Sequence, residues 1–89
     1  MKNMIAELSL IKAILFNAQS VQQALNFLDD LDISYRAADM LDWYSLTGHD
    51  IQFWRSRSAQ SPVSVCIDGK LVPVSERQSF LAAKIGGTV

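Results

Sequence analysis

The sequence predicts an α/β domain with the element order β-α-β-α-β-β-α, and three observations carry that expectation. The run Leu10-Ile11-Lys12-Ala13-Ile14-Leu15-Phe16 is almost wholly apolar with two β-branched isoleucines, as in a strand covered on both faces. From Ser20 the period changes: Val21, Ala24, Leu25, Leu28 and Leu31 recur at i, i+3, i+4 spacing, opposite Gln22, Gln23, Asn26, Asp29 and Asp30. Finally, Val63, Val65 and Ile67 alternate with Ser64 and Cys66 before Asp68-Gly69, a pair suited to a tight turn with positive φ, and Lys70-Leu71-Val72-Pro73-Val74 returns.

Taken in order, Leu10–Phe16 reads as strand one and the stretch after Ser20, a residue suited to capping free amides, as helix one. One alternative stays open here: Leu8, Ile11, Leu15, Ala18, Val21, Leu25 and Leu28 also share a helical stripe, so residues 4–31 can form a single long helix. Ile33-Ser34-Tyr35-Arg36-Ala37-Ala38 reads as strand two. Met40-Leu41-Asp42-Trp43-Tyr44 shows no clear period and reads as a loop or helical turn. Thr47-Gly48-His49-Asp50 has the spacing of a capping box ahead of Ile51, Phe53 and Trp54, which predicts a helix ending near Gln60, before Ser61-Pro62. The hairpin follows, and Pro73, which cannot donate to a ladder, makes its second strand an edge or ends it. Ser75-Glu76-Arg77-Gln78 then opens a last helix with Phe80, Leu81 and Ile85, stopped at Gly86-Gly87.

With 89 residues and neither repeats nor low-complexity stretches, the whole chain reads as one domain, 1–89, with its core at about 10–85. Eight basic and nine acidic side chains leave a net charge of −1, which gives a polyanion no attraction and makes nucleic acid an unlikely partner. A single cysteine excludes an internal disulfide, a C-x-x-C pair and a cysteine-rich zinc site. Lys12 interrupts the first apolar run and amides stud the next stretch, so neither a signal peptide nor a membrane span is expected, and the chain is expected in the cytoplasm.

The predicted order, in a chain of this length, resembles the thioredoxin superfamily in its small glutaredoxin-like form. Leu15-Phe16-Asn17 leads into Ala18-Gln19-Ser20-Val21 where such proteins carry their cysteine pair; Tyr35 stands fourteen residues after Val21; Ser61-Pro62 matches the family's cis-proline, and Asp68-Gly69 its hairpin turn. Ala18 and Val21 stand where the cysteines would be, and Pro73-Val74 replaces the Gly-Gly of glutathione-binding members. The resemblance therefore implies a redox-inactive binding or structural module with no catalytic residue, cofactor or metal. It would use a groove between Asn17, Ala18, Gln19, Ser20 and Ser61, Pro62, Val63 for a peptide or small ligand. The alternatives are a thiol-dependent enzyme or glutathione-type binder using the Pro62 loop or Cys66, and an all-helical interaction protein.

Two other features stand out. Trp43, Tyr44, Phe53 and Trp54 concentrate aromatic surface beside Arg55 and Arg57, an expected anchor for a protein partner or a second copy of the chain. Cys66, on a strand expected to be central, reads as a small core residue, and the lone His49 as a helix-start residue without metal-ligand company.

Overall fold

The computed structural model describes residues 4–57 and 62–86. Its elements run α1 (Met4–Asn17), α2 (Val21–Asp30), β1 (Tyr35–Ala37), β2 (Trp43–Leu46), β3 (Ile51–Arg55), β4 (Val63–Ile67), β5 (Lys70–Leu71) and α3 (Val74–Gly86). The strands form one antiparallel meander in the order β1-β2-β3-β4-β5, each paired with its neighbour in sequence. This overturns the order β-α-β-α-β-β-α and with it the thioredoxin-like architecture: two helices precede every strand, and among the described residues no helix separates one strand from the next.

Residues 10–16 lie in α1, not in a strand. Leu8, Ile11, Leu15 and Ala18 point one way, with Ile11 and Leu15 fully buried, while Phe16 meets Phe80 of α3 edge-to-face at 5.4 Å. A helix with apolar neighbours on more than one side loses the two-faced pattern that would have marked it. The single helix over 4–31 does not form either. Ser20, extended at φ −160°, accepts the Gln23 amide on its hydroxyl at 3.0 Å, while the Gln19 amide donates to Gln23 Oε1 at 2.7 Å; this reciprocal cap starts α2 afresh. At the other end Asp32, at φ 57°, and Ile33 donate to Asp29 O and Leu28 O, closing α2 with a Schellman motif.

The predicted helix over 47–60 is instead the second half of a hairpin. Thr47-Gly48-His49-Asp50 turns the chain with Gly48 at φ 84°, and Ile51 and Phe53 face inward while Gln52 and Trp54 face outward in β3. The hydroxyl-to-acid spacing of a helix cap also suits a tight loop, and here the period-2 burial of β3 shows which use prevails. The stretch expected to be loop or helical turn contains the start of β2, and strand two shortens to Tyr35–Ala37. The second hairpin forms as expected, with Asp68 at φ 53° and Gly69 at φ 80°, its return strand ending at Leu71 ahead of Pro73. The last helix also forms, starting one residue early at Val74.

Helices α1 and α2 cover one face of the sheet, where Leu46, Ile51, Phe53, Val63 and Val65 join Ile11, Leu15, Ala24 and Leu28 in the core. The opposite face carries Trp43, Ser45, Gln52, Trp54, Ser64 and Cys66, all half-buried. Cys66 is therefore not a core residue covered on both sides: odd-numbered residues of β4 face the helices, and position 66 faces away. Among the described residues no helix is long and apolar enough to cross a membrane.

Candidate functional site

Arg77 is the one buried charged side chain among the described residues, only 8% exposed. It sits one turn into α3, between Val74 and Leu81 on the inward stripe, so packing α3 against the rest of the fold carries a guanidinium inside. Its Nη1 donates to the Val63 carbonyl at 2.6 Å, tying α3 to the start of β4. Its Nε is buried with no hydrogen-bond partner, and no carboxylate forms an ion pair with it among the described residues. Desolvation lowers its pKa from the ordinary guanidinium value, although an arginine still keeps its proton at neutral pH.

Arg77 lines a cavity of about 280 Å³. Three parts of the chain converge there: Leu15 to Gln19 at the end of α1 and the turn into α2, Pro62 and Val63 at the start of β4, and Val74, Arg77, Gln78 and Leu81 of α3. The lining is apolar apart from Asn17, Gln19, Gln78 and Arg77, and holds no acidic side chain among the described residues. Asn17, Ala18, Gln19, Pro62 and Val63, predicted to form a groove, do share this cavity. Ser20 is taken up by capping α2 and does not line it, and Ser61, with the geometry of its bond to Pro62, lies outside the described residues.

The aromatic cluster divides between the two faces of the sheet. Trp43 and Trp54, directly opposite in register, stack on the outer face with centroids 4.0 Å apart and planes within 5°. Trp43 Nε1 also donates to Gln52 Oε1 at 3.2 Å. Tyr44 and Phe53 stack on the inner face at 5.6 Å. Arg55 pairs with Asp42 at 3.3 Å, and Arg57 is exposed just beyond β3. His49 lies in the β2–β3 turn rather than at a helix start, with Nε2 3.7 Å from Glu7 Oε1. No group of three or more His, Cys, Asp or Glu that could hold a metal occurs among the described residues. Tyr35 donates its hydroxyl to Asp29 at 2.7 Å, a bond that holds the phenol above its usual pKa.

Comparison with protein-family models, with curated proteins and with solved structures returns no match.

Sequence reasoning missed Arg77. The available signal was a charged residue on an apolar helical stripe: Val74, Arg77 and Leu81 follow i, i+3, i+7 spacing.

Proposed function

We propose that this chain is a non-catalytic binding module for a small ligand, with its site in the cavity bounded by the α1–α2 turn, the start of β4 and the first turns of α3. One observation carries the reading: a buried guanidinium lines an open cavity with no counter-charge beside it. Burying a cation without a counter-charge is expensive, and a bound anionic group offsets that cost.

The outer sheet face supports a partner reading less well. Four strand spacings of about 4.8 Å and a strand length of at most about 17 Å give a face on the order of 300 Å², against roughly 800 Å² per partner in a standard interface. Ser45, Gln52 and Ser64 interrupt even that area.

Amide NMR spectra of the full chain, recorded with a set of neutral, anionic and cationic compounds of six to nine heavy atoms, test the proposal. Shifts clustered at Asn17 to Gln19, Val63 and Arg77 to Gln78 are expected. No shift from any compound, or shifts confined to Trp43 and Trp54, would overturn it.

A further inference from the structure

The chemistry lining the cavity narrows the ligand class. Guanidinium nitrogens form a planar fork in which N–H groups on neighbouring nitrogens point the same way in pairs, matched to the two oxygens of a carboxylate. In Arg77 the Nε has neither a partner nor accessible surface and one Nη1–H is committed to Val63 O, so the edge left for a ligand is that of Nη2 and the second Nη1–H. The cavity also reaches Val74, the first residue of α3, at the end of the helix that favours negative charge. No acidic side chain among the described lining residues opposes it.

Charge and size then select among anions. A single cation neutralises a monoanion; a phosphate dianion would retain an uncompensated buried charge. Phe16, Pro62 and Leu81, each half-buried, offer apolar surface for the rest of the molecule. At about 280 Å³ the space lies at the lower end of ligand sites, too small for a nucleotide.

We infer that the cavity takes a small organic monocarboxylate, its carboxylate on the Nη1–Nη2 end of the Arg77 guanidinium and its hydrocarbon part against Phe16 and Leu81. This rests on the ligand-binding reading above and names the ligand class.

Hexanoate, hexanamide and inorganic phosphate, titrated separately into the full-length chain and followed through the amide spectrum and the Arg77 Nε–H resonance, test the inference. Hexanoate should bind at least tenfold more tightly than hexanamide or phosphate and displace the Nε–H resonance. In Arg77→Met the preference for hexanoate over hexanamide should vanish. Hexanamide binding as well as hexanoate overturns the carboxylate while leaving the cavity reading intact, and phosphate binding as well as hexanoate overturns the organic tail. If none of the three perturbs the cavity residues, both this inference and the reading beneath it fall. Should Arg77→Met not fold, the ratio of hexanoate to hexanamide affinity in the unmodified chain decides alone.

Discussion

Arg77 can be a clamp or a receptor, and opposing magnitudes tell them apart. Its bond to the Val63 carbonyl is charge-assisted and is worth about 1.5–3 kcal/mol. Against it stand a desolvation penalty of several kcal/mol for a buried cation and about 1–3 kcal/mol for the unpaired Nε. As a receptor, the residue is maintained at a net cost to the ligand-free protein. Arg77→Met, which keeps most of the volume, should therefore leave urea stability unchanged or raise it by up to about 2 kcal/mol. A loss of more than about 2 kcal/mol would identify Arg77 as a clamp and remove the main support for a ligand site.

At the scale of elements, legibility followed local chemistry. The β4–β5 hairpin was readable because Asp68-Gly69 favours the left-handed backbone its turn requires, and α2 because Ser20 and the spacing from Val21 to Leu28 agree. α1 was not readable as a helix, since its run is apolar on nearly every side; nor was the β2–β3 hairpin, where the large neighbours Trp43 and Tyr44 face opposite ways and hide the alternation. Five of the residues expected in a groove, Asn17, Ala18, Gln19, Pro62 and Val63, line one cavity in a fold other than the one that suggested them. Asn17 to Gln19 and Val63 meet because the end of α1 and the start of β4 lie at the same end of the layer, where α3 closes over them. The turn between α1 and α2 therefore builds the cavity wall, and Ser20 holds it. Ser20→Ala should cost about 1 kcal/mol in thermal or urea unfolding. An unchanged midpoint would show that packing alone sets this turn.

For the whole molecule, the small outer face bears on assembly. Its stacked tryptophans are half-buried, and Met40, Leu41 and Leu71 are exposed elsewhere on the chain. This apolar surface is too small and too interrupted to hold two copies together at ordinary concentrations. Sedimentation at tens of micromolar should accordingly give a single 9.9 kDa species. A species of twice that mass, lost in Trp54→Ala, would restore the aromatic face as an interface.

The meander has one more consequence, and it concerns time. Because every strand pairs with the strand next to it in sequence, each pairing closes only a short loop, and α1 and α2 meet across a three-residue turn. Folding can proceed by successive local closures, which places the chain among the faster α/β domains. The closure that spans most of the chain is that of α3 on α1, which also brings Arg77 onto Val63, so the cavity is complete only once that helix has docked.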